Sequence, residues 1–194
     1  MSDGIGYISV PGLVGTDREQ GDAFSAEVCQ AIERRANEAS RGWIVDLRRN
    51  GGGNMWPMLT GPRALLGEPS PGAFVDRAGT SSLWRIRRSE GCSSDLSSAP
   101  VAVLIGPRTA SSGEAVAVAF RNRTRTRFFG RPTAGLATSN QSIRLPDASM
   151  LMLTTAAFSD RSGSTYPVGI TPEVQEESDQ ATRNAADAWL RTMP

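Results

Sequence analysis

The sequence predicts an α/β fold with a partly antiparallel appendage. Three observations carry this reading. Strand and helix patterns alternate over much of the 194 residues. Two segments are short, unbroken apolar runs of the kind buried on both faces of a parallel sheet. Two strand-like runs late in the chain are separated by a short polar turn, as in a hairpin.

Taken in order, the alternation Gly4-Ile5-Gly6-Tyr7-Ile8-Ser9-Val10 reads as a strand stopped by Pro11-Gly12. Over residues 21–40, Phe24, Val28, Ile32 and Ala36 recur every four residues and share one helix face. Trp43-Ile44-Val45-Asp46-Leu47-Arg48 is a buried strand feeding the turn Asn50-Gly51-Gly52-Gly53. Residues 55–66 read as helix interrupted by Pro57 and Pro62, and residues 67–100 as a long Ser/Gly/Pro-rich excursion with one strand around 83–87. Val101-Ala102-Val103-Leu104-Ile105 is the clearest buried strand, followed by a small-residue helix over 111–121. Residues 126–130, 142–145 and 150–157 are strands, the last two joined by Pro146-Asp147-Ala148-Ser149, and residues 178–190 form a closing helix.

Composition narrows the chemistry. Hydrophobic content of 39% and charged content of 21% are those of an ordinary soluble domain, and 20 glycines with 12 prolines imply many turns. A net charge of +1 provides no drive toward nucleic acid or an anionic membrane, and no run approaches 18 apolar residues. Without a leader-like start, and with Cys29 and Cys92 too few for a disulfide framework, the expected setting is reducing and cytoplasmic. All 21 basic residues are arginines, and histidine is absent. The chain by itself therefore excludes Ser-His, Cys-His and Ser-Lys catalysis, along with most zinc sites, and no metal or cofactor is expected.

Two turns at strand ends carry the remaining chemistry. In Arg108-Thr109-Ala110-Ser111-Ser112-Gly113-Glu114, a serine falls at a helix N-terminus, where free N–H groups and the helix dipole favour a developing oxyanion. The spacing Ser111-x-x-Glu114 is equally that of a capping box. In Asn50-Gly51-Gly52-Gly53, backbone N–H groups can approach a ligand closely, or the glycines can simply make a tight turn. The spacing matches neither phosphate-binding fingerprint.

Those two turns, followed by Phe129-Gly130-Arg131-Pro132-Thr133-Ala134-Gly135, then Leu145-Pro146-Asp147 with Leu153-Thr154-Thr155, then Gly169-Ile170-Thr171-Pro172-Glu173-Val174, resemble the carboxy-terminal processing, or tail-specific, serine peptidases. The resemblance spans about residues 4–175, leaves 176–194 as a C-terminal helix, and covers only a catalytic core, with no room for a PDZ module. It implies one domain over 1–194 with a core of the crotonase and Clp-protease type. It places the nucleophile at Ser111, and the oxyanion donors at the N–H of Ser112 and of Gly52 or Gly53. Glu114 is a candidate carboxylate base as well as a cap, Asp160 a second candidate, and Asn54, Trp56, Thr133, Gly135 and Asn140 are expected to line the substrate pocket.

The base is where the sequence departs from the pattern. The Ser-Lys branch has a lysine where this chain has Leu136, and a glutamine where it has Asn140. The tricorn-like and nisin-resistance-like branch, to which the chain is closer, takes a histidine from a region upstream of the first strand recognised here. A serine hydrolase acting on a peptide or acyl carbonyl, impaired by the missing base, is the leading expectation. Beside it stand a non-proteolytic isomerase, cyclase or acyl transferase using the oxyanion hole, and an inactive peptide-binding module. A homo-oligomer is compatible with the sequence but cannot supply the base, since every copy lacks it; a partner supplying the N-terminal region could.

Overall fold

The computed structural model describes residues 4–68 and 70–193. Along the chain run β1 (Ile5–Ser9), α1 (Arg18–Glu33), β2 (Gly42–Asp46), α2 (Met55–Thr60), α3 (Arg63–Leu66), β3 (Gly72–Asp76) and β4 (Ser81–Leu83). Then follow β5 (Val101–Ile105), α4 (Ser112–Phe120), β6 (Thr126–Gly130), β7 (Thr138–Arg144), β8 (Met150–Asp160), β9 (Val174–Gln175) and α5 (Asp179–Thr192). Strands β1, β2, β5, β6 and β9 form one sheet in the order β1-β2-β5-β6-β9, with every pair parallel. A second, antiparallel sheet has the order β4-β3-β8-β7. The α/β class and the antiparallel appendage are therefore both present.

The unbroken apolar runs owe their character to burial on both faces of the parallel sheet. Trp43, Val45, Val101, Val103 and Ile105 join the larger core with Val28 and Ile32 of α1 and with every residue of α4 from Ala115 to Phe120. Ile44, Ala102 and Leu104, one residue out of phase, point the other way and pack with Phe129 against Ala186 and Leu190 of α5.

Several expected boundaries shift, for local reasons. Helix α1 begins before residue 21 because Asp17 caps it, its carboxylate accepting the Gln20 N–H at 2.8 Å. It ends at Glu33, so Ala36 lies beyond the helix. The expected strand over 83–87 keeps its alternation, Trp84 and Ile86 buried and Arg85 and Arg87 exposed, yet only Ser81–Leu83 pairs as β4. Its partner β3 carried no strong strand signal, being a short Gly-Ala-Phe-Val-Asp run within a loop-like stretch. Hairpin strands β7 and β8 extend past the expected 142–145 and 150–157, because Thr138 pairs with Ala157 and β8 continues to Asp160 opposite Gly72.

Candidate active site

The site begins where β2 and β5 end side by side. Asp46 closes β2, and its buried carboxylate accepts from the Arg48 N–H, from Arg48 Nε and Nη2, and from the Tyr7 hydroxyl. Burial works against ionisation there, but the Arg48 contacts outweigh it and hold the carboxyl below the usual Asp range. Two residues beyond Arg48, Asn50 is fully buried. Its side-chain amide donates to the Val10 carbonyl at 3.0 Å, its Oδ1 accepts the Gly52 N–H at 3.0 Å, and its own carbonyl accepts the Ala110 N–H at 3.0 Å. One residue, through its side chain and its carbonyl, thus ties the end of β1, the glycine turn and the segment before α4 together.

Glycine is required in this turn. Gly52 has φ of +100°, and a Cβ on it would lie 3.0 Å from Ser111 Cβ and 3.1 Å from the Ser112 nitrogen. The glycine turn therefore rests directly on the serine turn. Gly113 lets the start of α4 meet the Asn50 carbonyl, which a Cβ would approach to 2.2 Å. The Ser112 hydroxyl completes the junction by donating to the Gly53 carbonyl at 2.6 Å.

Ser111 itself is half-buried, at φ of +52° and ψ of −122°, a conformation that non-glycine residues rarely adopt. Such strain, about 1–3 kcal/mol, persists only where surroundings enforce it. Thr109 and Glu114 do the enforcing. Thr109 is fully buried, its hydroxyl donating to the Leu47 carbonyl at 2.8 Å and accepting the Gly106 N–H at 3.1 Å. Glu114 is fully buried as well, and accepts the Ser111 N–H at 2.9 Å. The two residues form a capping box, Glu114 accepting the Ser111 N–H and the Ser111 side chain facing the Glu114 N–H. The Ser111 hydroxyl thus stands at the positive end of a helix buried from Gly113 to Phe120.

Glu114 does more than cap. It also accepts from the Thr133 hydroxyl at 2.6 Å, the Gly135 N–H at 3.0 Å and the Leu136 N–H at 2.7 Å. Ser111 and Leu136 donate to the same carboxylate oxygen, so the 133–136 turn is seated beside the serine.

The model of Peptidase family S41 matches residues 4–176. The chain belongs to this family. It is 31% identical to the nisin-resistance protein of Lactococcus lactis over 95% of its own length, and spans 59% of that relative. Against the carboxy-terminal processing protease CtpA of Bacillus subtilis it is 26% identical over 80% of its length, spanning 33% of that protein. Its fold superposes on a lipoprotein from Streptococcus agalactiae with a TM-score of 0.82 at 26% identity, covering 98% of this chain and 67% of the other. The photosystem II D1 C-terminal processing protease shares the fold at a TM-score of 0.69 and 24% identity, with coverage of 89% and 42%.

Within this S41 core the expected site residues separate into three groups. Ser111, Ser112, Gly52, Gly53 and the 133–136 turn come together. Gly52, however, has its N–H engaged by Asn50, whereas among the described residues the N–H groups of Gly53 and Ser112 have no protein acceptor. Asn54 and Trp56 follow the glycine turn, with Asn54 capping α2 and Trp56 42% exposed against Phe74.

The second group is structural. Glu114 spends its oxygens on four donors, which corrects its reading as a base. Thr133 is buried, its hydroxyl donating to Glu114 and accepting the Ile170 N–H at 2.7 Å, so it holds the turn rather than lining a pocket. Gly135 likewise gives its N–H to Glu114. Asp160 is a buried hub at the end of β8 and not a surface turn. Burial opposes its ionisation, but donors from Tyr166, Ser162 and Ser164 prevail and keep its carboxyl below the usual range, the reverse of what a general base at neutral pH needs.

The third group lies apart: Asn140 is exposed in β7 and accepts from the Thr154 hydroxyl across the hairpin. Leu136, at the Ser-Lys branch's lysine position, is 55% exposed beside the site. The roles of Asn50 and Thr109 escaped the sequence reading, because a side chain binding backbone 40 or 62 residues away leaves no local pattern. A further correction concerns the cysteines. Cys29 of α1 and Cys92 are joined in a disulfide, with Cα atoms 6.2 Å apart across 63 residues of sequence, so the expectation of two free thiols fails.

Proposed function

We propose that this chain carries the nucleophile and oxyanion hole of an S41 serine peptidase acting on a peptide carbonyl. The observation that carries the reading is Ser111 itself: a strained serine at the head of a buried helix, its backbone resting on Gly52. Ser111 Oγ would bond to the carbonyl carbon, and the N–H groups of Ser112 and Gly53 would receive the oxyanion. Collapse breaks the C–N bond and releases the amine, and water then hydrolyses the Ser111 ester.

The serine proton needs an acceptor, and the chain has no histidine or lysine. Water can take that proton, at the loss of the roughly 10²–10⁴-fold that a general base contributes. The 194 residues alone are therefore a slow peptidase, and an imidazole delivered beside Leu136 from a preceding segment or a partner would complete the site. A fluorophosphonate probe is expected to label Ser111 slowly, with labelling lost in Ser111→Ala and quickened by millimolar imidazole. Equal labelling of both proteins would overturn the proposal.

The setting is revised too. No helix among the described residues is long and apolar enough to cross a membrane. The cytoplasmic expectation rested on the start of the chain and on cysteines too few for a disulfide framework; the Cys29–Cys92 bond favours an oxidising compartment, where such bonds persist.

A further inference from the structure

Beside the glycine turn runs a groove of about 1440 Å³ between the first half of α1 and the segment that follows β4. Asn54 and Trp56 line both this groove and a smaller hollow of about 390 Å³ that reaches Gly53, so the groove opens toward the serine turn. One wall is basic. Trp84 and Ile86 are buried, and the extended backbone between them forces Arg85 and Arg87 outward on alternate positions. Arg85 and Arg87 line the groove exposed, and among the described residues neither has an ion pair or a hydrogen bond. Arg88 beside them acts on Asp95.

The facing wall carries Asp17, which caps α1, Glu19, and Asp22, which pairs with the exposed Arg18 at 3.6 Å, and Glu90 stands on the basic wall's own segment; among the described residues none of these carboxylates forms an ion pair with Arg85 or Arg87. The groove also has a fixed width. Cys29 lies one turn beyond the part of α1 that lines it, and Cys92 two residues beyond Glu90, so the disulfide joins the two walls covalently. Glu33 adds a second tie by accepting from the N–H and hydroxyl of Ser94 at 2.8 and 2.6 Å. Two outward guanidiniums on a segment pinned at both ends present fork-shaped donors to carboxylates, and little loop order remains to be lost on binding.

We infer that this groove binds an extended peptide segment carrying acidic side chains, held by Arg85 and Arg87, and leads it past Trp56 and Asn54 toward Ser111. The direction of travel rests on the peptidase reading above, whereas the binding does not. The test uses the intact oxidised chain as its Ser111→Ala variant, so that nothing is turned over. Fluorescence anisotropy would compare a labelled dodecapeptide of alternating Ala and Glu, the same peptide with Gln for Glu, and a labelled 12-nucleotide oligouridine.

The Glu peptide is expected to bind about tenfold more tightly than the Gln peptide at low salt, with the difference fading as salt is raised. That preference should vanish in Arg85→Gln/Arg87→Gln, whose melting temperature stays unchanged, and weaken severalfold when the disulfide is reduced. Equal binding of the two peptides, a Glu preference that survives the double substitution, or tighter binding of the oligouridine would overturn the assignment. Glu-peptide binding without fluorophosphonate labelling of the wild-type chain would sink the peptidase reading and leave the groove standing; labelling without binding would do the opposite.

Discussion

At the turns that meet around Ser111, buried residues grip the backbone: Asn50 holds three segments through its side chain and its carbonyl, Thr109 holds two, and Glu114 gathers three N–H groups and a hydroxyl. In the ribbon made by β7 and β8, residues 140–154 are all exposed, and the ladder between the two strands does most of the holding. Both regions are built from turns and short extended segments. They differ in how many long-range polar contacts fix each peptide group. A reacting serine must stand at one position relative to its oxyanion donors, and the strained backbone of Ser111 persists only under such over-determination. The outer ribbon needs register alone, which its pairing and its turn supply.

The largest way to break this contrast is Glu114→Ala. It would leave three backbone donors and the Thr133 hydroxyl unpaired in a buried place, and is expected to cost at least about 3 kcal/mol in urea unfolding and to abolish labelling of Ser111. A cost below about 1 kcal/mol would mean that the turns hold themselves.

The base of the ribbon should behave like the site, not like the tip. Asp160 is buried there with its carboxyl held below its ordinary value, so its contribution to stability is present above that value, near pH 4, and is lost as pH falls through the lowered one. Acid unfolding of the wild type should show this step and Asp160→Asn should lack it, the variant being already weaker at neutral pH. Parallel acid curves for the two would show that the hub adds nothing. The smallest effect belongs to the tip. Leu153→Ser, at a side chain 47% exposed, should change stability by less than about 0.5 kcal/mol. A cost above about 2 kcal/mol would show that the ribbon is packed after all.

The legibility of the chain follows the same division. Strand β5 appears at its expected position because a strand buried on both faces must be an unbroken apolar run, bounded by turn residues; β6 appears at its expected position with Phe128 and Phe129 buried ahead of Gly130. Strand β3 does not announce itself: Gly72–Asp76 becomes a strand by pairing with β8, more than 80 residues away. Ser111 and the glycine turn were visible as motifs, and so was the cap made by Glu114, but its hold on the 133–136 turn was not. Its spacing from Ser111 speaks only of the helix end, and three of its four donors come from elsewhere or are visible only once the 133–136 turn is seated.

The amino-acid sequence alone determined the α/β class, the position of the candidate nucleophile Ser111 and the absence of any histidine or lysine, since periodicity, local motif and composition are properties of neighbouring residues or of simple counts. Tertiary structure decided that Glu114 and Thr133 are structural, that Gly53 rather than Gly52 has an N–H to offer, that Cys29 and Cys92 are joined, and that Arg85 and Arg87 face a groove. Each of those outcomes depends on which distant groups compete for the same donor, acceptor or space, and that competition exists only once the chain has folded.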